Sequence, residues 1–126
     1  CMHACMHAVV ATPPLQRRHR KCCCRCPLPS PAAATAAGVE IRRLDRGQWW
    51  GELARYRFLL SPWGDGIQTP KAIEALLVLT VPVVQRGPFP VFDELLRLGF
   101  PLAVVDDWAE VDASRLDRWW RALSPR

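Results

Sequence analysis

The residues best suited to chemistry lie in one short stretch, SPWGDGIQTPK, which occupies positions 61–71. Gly64 and Gly66 let a backbone approach a ligand closely and adopt turns that other residues resist. A helix is expected from Pro70, and its first turn aims unpaired N–H groups back at the glycines, which suits phosphate oxygens. Lys71 puts a cation in that first turn, where it opposes the helix dipole unless an anion is bound. Glu74 follows one turn later and can accept hydrogen bonds from sugar hydroxyls. Asp65 lies between the two glycines. By residue chemistry alone the same pattern also suits an ordinary tight turn, and both readings stay open.

A second chemical cluster lies at the start of the chain. All six cysteines fall within the first 26 of the 126 residues, at Cys1, Cys5, Cys22, Cys23, Cys24 and Cys26. A disulfide framework spreads its cysteines through the core it staples, so this distribution excludes one. Cys1/Cys5 and His3/His7 are each spaced i,i+4, and such ligands suit zinc. The adjacent Cys22, Cys23 and Cys24 cannot easily converge on one tetrahedral ion, so low-complexity coil is the favoured reading and no metal is assigned. The run RRHRK at 17–21 reads as a solvated basic tail, with contact to nucleic acid or a membrane surface as its rival.

Charge supports that division. Residues 1–38 carry five basic groups and no acid, whereas residues 39–126 carry twelve of each, so the excess of +5 belongs to the tail. A neutral remainder excludes a domain-wide clamp on a phosphate backbone, and no nucleic-acid partner is expected for it. No apolar run reaches the roughly 18–20 residues of a spanning helix, so no membrane segment is expected in this sequence. The stretch PLPSPAAATAAG at 27–38 reads as a linker. The expected organisation is a disordered, low-complexity tail over 1–38 and one α/β subdomain over 39–126.

Within the second part the pattern predicts helix, strand, helix, strand, helix, strand, helix. Helices are expected over residues 47–55, 70–79 and 91–98, with strands over 56–60, 81–84 and 101–105. In the second helix Ile73, Leu76 and Leu77 share an expected inward face, and in the third Phe92, Leu95 and Leu96 do. Leu116, Trp119, Trp120 and Leu123 recur at i, i+3, i+4, i+7 and mark the last helix, with Asp112 as its cap. Apolar strands alternating with helices predict a parallel sheet covered on both faces. The fold class is therefore α/β, half of a Rossmann-like parallel sheet of about three strands with flanking helices. Half a sheet leaves an apolar edge for a missing segment or partner to cover. Ligands of open α/β sheets sit beyond the carboxyl ends of the strands, which again singles out the stretch after the first strand.

Other residues read as structure. Asp106-Asp107-Trp108 is not a D-x-D metal motif; its expected task is to end a strand and cap the next helix. Trp119 and Trp120 are expected to pack. No histidine follows residue 19, so the globular part offers no histidine base, and no catalytic residue is assigned.

Residues 56–110, with YRFLLSPWGDGIQTPKAIEALLVLTVPVVQ and then PLAVVDDWAE, resemble the C-terminal part of exostosin-like glycosyltransferases. Those proteins carry a pattern close to F-x-L-S-P-x-G-N-G-x-D-T-H-R-x-x-E-A-L-x-x-G-x-x-P-V, then V-V-x-D-W-x-E. With flanking helices the similarity extends over residues 44–123. It implies the donor-binding half of a GT-B fold, which holds a nucleotide-sugar between two Rossmann-like domains. By position, Gly64, Asp65 and Gly66 would lie near the diphosphate, Lys71 would neutralise its charge, and Glu74 would hold ribose or sugar hydroxyls. The resemblance implies no metal and no other cofactor. It implies a glycan or glycoprotein acceptor, an absent N-terminal half or partner chain, and the Golgi as location. The opening CMHACMHA, with no initial Met, fits a fragment. Asp65 stands for the family's Asn, Gln68 for Asp, Pro70 for His and Leu79 for Gly, and Trp63 follows Ser-Pro. A non-catalytic α/β interaction module derived from such an enzyme is the alternative, and a nucleic-acid or zinc-binding protein acting through the tail is a further one.

Overall fold

The computed structural model describes residues 7–11, 35–62 and 70–124. Strands β1 (His7–Ala11) and β2 (Val39–Arg43) pair antiparallel, with Val9 opposite Ile41. Helix α1 (Arg46–Leu53) leads to β3 (Phe58–Ser61), α2 (Pro70–Leu77), β4 (Val81–Gln85), α3 (Val91–Arg97) and β5 (Ala103–Val105). A 3-10 turn (Trp108–Glu110) and α4 (Ala113–Leu123) complete the order. Strands β3, β4 and β5 form a parallel sheet in that order, with Phe58 opposite Val81 and Val83 opposite Ala103. The mixed α/β architecture with a three-stranded parallel sheet is the one expected from the sequence.

Alternation along each strand sorts the core into two faces. Phe58 and Leu60, Val81 and Val83, and Ala103 and Val105 point to one side, where Trp108, Val111 and Leu116 cover them. Trp119, Trp120 and Leu123 pack onto that layer, and the Phe58 and Trp120 rings meet edge to face with centroids 5.9 Å apart. On the other side Leu59 meets Leu44, Trp49, Leu53 and Ala75, and Val84 meets Ala72, Phe92 and Leu102. Both crossover helices, α2 and α3, therefore lie on the face opposite α4. Burying a Leu, Val or Phe side chain here contributes about 1.5–3 kcal/mol, which makes the doubly covered sheet the main source of stability.

Three details differ from the sequence-based expectation. First, α2 presents Ala72 and Ala75 to the core, while Ile73 and Leu77 are exposed. The small alanines bring the helix close to the sheet, and Trp49 and Phe92 fill the space on either side. Second, Leu96 is exposed on α3, because Phe92 already occupies the contact with Val84 and Leu102. Third, β1 and β2 precede the expected elements. The alternation in VEIRR holds for only four residues before Arg43 breaks it, the shortest run that signals a strand. β1 also lies alongside β3, with Cα atoms within 8 Å, although its ladder is with β2. Among the described residues nothing pairs with the outer edge of β5.

The caps follow the sequence more closely. An Asp112 carboxylate oxygen accepts from the Arg115 N–H at 2.8 Å and starts α4. Asp107 caps the 3-10 turn by accepting from the Ala109 N–H at 2.7 Å. Glu110 returns the bond through one oxygen that accepts from the Asp106 and Asp107 N–H groups, both at 2.8 Å.

Candidate functional site

Helix α2 begins beyond the carboxyl end of β3, because a parallel sheet requires each crossover to start where the preceding strand ends. Ser61 and Pro62 close that strand and are buried. Lys71 lies in the first turn of α2 and Glu74 three residues later, so their Cβ atoms share one flank of the helix. Both side chains are half-buried. Pro70 takes the first helical position, where its missing N–H leaves no intrahelical bond unmade. The structure thus places Lys71 in the first turn of α2 and Glu74 one turn further along the same flank, at mid-helix. Gly64, Asp65 and Gly66, with Trp63 and Gln68, lie outside the described residues.

Glu74 has a partner that its sequence context did not suggest. The Trp49 indole N–H donates to Glu74 Oε2 at 2.7 Å. Trp49 is only 1% exposed and is held on α1 by Leu44, Leu53, Leu59 and Ala75. Its rigid ring therefore fixes one oxygen of the carboxylate. A carboxylate has roughly four acceptor positions, and the indole takes one. The Trp49 and Leu53 pattern marks a helical face, but nothing in a spacing of 25 residues announces the bond to Glu74.

The carboxyl ends of β4 and β5 carry a second set of charges. The Arg86 Nε donates to Asp106 Oδ1 at 2.8 Å, and its Nη1 donates to Asp93. The Gln85 side-chain amide donates to the Asp106 carbonyl at 3.1 Å. Arg115 donates to the remaining oxygen of Glu110. That bond and the N–H groups of Asp107 and Asp106 pull the Glu110 carboxyl down to about 2. Asp106 is 75% exposed at its side chain, so the Arg86 links lie largely in solvent and stabilise weakly. These residues tie strand ends to α3 and α4. Asp106 and Asp107 act as strand terminus and cap, in agreement with the expectation.

Leu79 marks the other end of α2. Its φ is +63°, in the left-handed region that bulky side chains avoid. The Thr80 N–H donates to the Ala75 carbonyl at 2.9 Å and the Leu79 N–H to the Leu76 carbonyl at 3.2 Å. This is the Schellman arrangement, which favours glycine at the position Leu79 holds. Helix α3 ends the same way with Gly99, whose φ is +86°, and with Phe100 N–H donating to the Leu95 carbonyl at 3.0 Å.

Among the described residues no three His, Cys, Asp or Glu side chains are grouped to hold a metal ion. The six cysteines all lie outside the described residues. No described helix is long and apolar enough to cross a membrane. The fold and this end of it define an open α/β unit with a basic side chain in the first turn of its first crossover helix and an acidic one a turn further along. No family model, curated protein or solved structure matches the chain.

Proposed function

We propose that the chain is the donor-binding part of an exostosin-like glycosyltransferase and holds a nucleotide-sugar beyond the carboxyl end of β3. The observation that carries this reading is the placement of Lys71 in the first turn of α2, at the end of the sheet where open α/β folds bind ligands, with Glu74 one turn further along the same flank. Lys71 and the N–H groups of the first turn would neutralise the diphosphate, first in the bound donor and then as it departs. Glu74 would accept from hydroxyls of the ribose or the sugar. Charge stabilisation of this kind needs no metal. The acceptor would be a glycan or glycoprotein, and the catalytic base would come from the N-terminal half of such an enzyme.

The test is thermal unfolding of the full chain with uridine- and guanosine-diphosphate sugars. A ligand at a hundredfold excess over its Kd stabilises by about 2.7 kcal/mol, which is several degrees for a domain of this size. A folded protein whose melting temperature no such compound raises would contradict the reading.

A second reading is supported by the opposite end of the sheet. Leu77, Leu79, Leu98 and Phe100 are all exposed on the two turns that lead from helix to strand. Exposed apolar residues grouped in this way suit an interaction module derived from such an enzyme, which would fold and ignore nucleotides.

A further inference from the structure

We propose that Trp49 is a positioning residue that orients Glu74 toward ligand hydroxyls and thereby sets the selectivity of the site for a ribose-bearing diphosphate; this rests on the donor-site reading above. Trp49 is buried, packed on all sides by apolar neighbours, and donates its only polar hydrogen to Glu74 Oε2. An indole N–H can donate and never accept. The bond therefore takes one acceptor position on Oε2 and anchors the half-buried carboxylate, which keeps about three acceptor positions for other donors. A group so held recognises a ligand that offers O–H donors, such as the vicinal hydroxyls of a ribose, and it repels a second anion.

The energetic argument concerns order. A glutamate on a helix surface loses rotamer freedom when it binds a ligand, and that loss weakens the contact. Trp49 removes the freedom before the ligand arrives. Its packing partners Leu44, Leu53, Leu59 and Ala75 come from the segment before α1, from α1 itself, from β3 and from α2, so the ring is fixed relative to both the sheet and the helix. The position of Glu74 is thereby set by the core and not by its own flexible chain.

The experiment compares uridine and guanosine diphosphate with their 2′,3′-dideoxy forms, by calorimetric titration of the full chain. The wild-type protein is expected to favour the ribose forms by about tenfold, the effect of hydrogen bonds to a charged group. Trp49→Phe keeps an aromatic ring and removes the N–H, and it should shrink that preference by about threefold. Because Trp49→Phe also leaves a void, a second protein carries 3-benzothienylalanine at position 49, which preserves the ring shape and lacks the N–H. It should show the same loss of preference with an unchanged melting temperature to within the cost of one hydrogen bond. A purely structural role would weaken both ligands alike and leave the ratio intact. An unchanged ratio in both variants, beside a selective wild type, would overturn the role of Trp49 and leave the donor site standing. Wild-type binding without any ribose preference would overturn this inference in the same way. No binding by the wild type would overturn the donor-site reading and this inference together.

Discussion

The Trp49 indole and the Glu74 carboxylate meet at 2.7 Å, joining the buried face of α1 to the middle of α2. The bond gives Glu74 a structural role beside the ligand contact proposed for it, and substitution separates its hydrogen-bond contribution. Glu74→Ala strands the buried indole N–H and should cost about 1–3 kcal/mol of stability. Glu74→Gln keeps an acceptor oxygen and should cost less than half as much. Denaturant unfolding of the two variants checks the difference; equal losses would show that the bond contributes nothing.

Leu79 and Gly99 hold the same place in two successive helix ends, and only Gly99 suits the backbone there. Leu79 is 65% exposed, so replacing it sacrifices little packing. Relief of left-handed strain is worth about 1–2 kcal/mol, and the added chain entropy of glycine takes back about 0.5–1. Leu79→Gly should therefore raise stability by about 0.5–1 kcal/mol. Gly99→Ala should lower it by about 1 kcal/mol through the backbone alone, since an added Cβ would meet nothing within 4 Å. Paired melting curves measure both, and a destabilised Leu79→Gly would mean that the exposed leucine packs against something.

Thr80 is buried, and its hydroxyl lies 2.9 Å from the Leu53 carbonyl and 3.0 Å from that of Tyr56. One proton serves two carbonyls at the carboxyl end of α1. Thr80→Val preserves shape and removes the hydroxyl; the Leu53 carbonyl keeps the Tyr56 N–H at 3.1 Å, so the loss falls on the Tyr56 carbonyl and should cost about 1–3 kcal/mol. Thr80→Ser, which keeps the hydroxyl and removes a methyl, should cost about 1 kcal/mol. If valine is tolerated better than serine in urea unfolding, the hydrogen bond is not what fixes this residue.

Glu110 gives the fold a pH dependence. Its carboxyl titrates near 2 when folded, below its ordinary value of 4.5, because Arg115 and then the Asp107 and Asp106 N–H groups favour the anion. A depressed carboxyl stabilises fully above its unfolded value and loses that contribution as pH falls toward the folded one. The window is therefore pH 4.5 to 2. Solvent reaches this pair, so the contribution is about 1 kcal/mol. In Glu110→Gln the stability lost over that window should be smaller by about this amount, as read from melting temperatures between pH 5 and 2. An identical slope in the variant would remove the assignment.

Much of the fold is legible in the residues themselves. VPVVQ and FLLS are apolar on both faces, as strands in a doubly covered parallel sheet must be. The stripe of Leu116, Trp119, Trp120 and Leu123 with Asp112 ahead of it fixes α4 to within a residue of its observed start. The inward face of α2 was not legible, because large residues announce a core face and here Ala72 and Ala75 form it. The site was legible only along the chain. Lys71 and Glu74 share a helix flank by spacing alone, whereas Trp49 reaches Glu74 through tertiary packing that no local pattern encodes. Leu79 stands at a left-handed helix end that glycine suits better, so the residue itself gave no sign of the backbone geometry it adopts.

The most direct test of the donor-site account is an amide and indole nuclear magnetic resonance titration of the 15N-labelled full chain with uridine- and guanosine-diphosphate sugars. The account predicts saturable shifts at the Lys71 and Ala72 amides and at the Trp49 indole N–H, with the amides of α4 unmoved. Shifts confined to α4, or a spectrum unchanged at millimolar ligand, would contradict it.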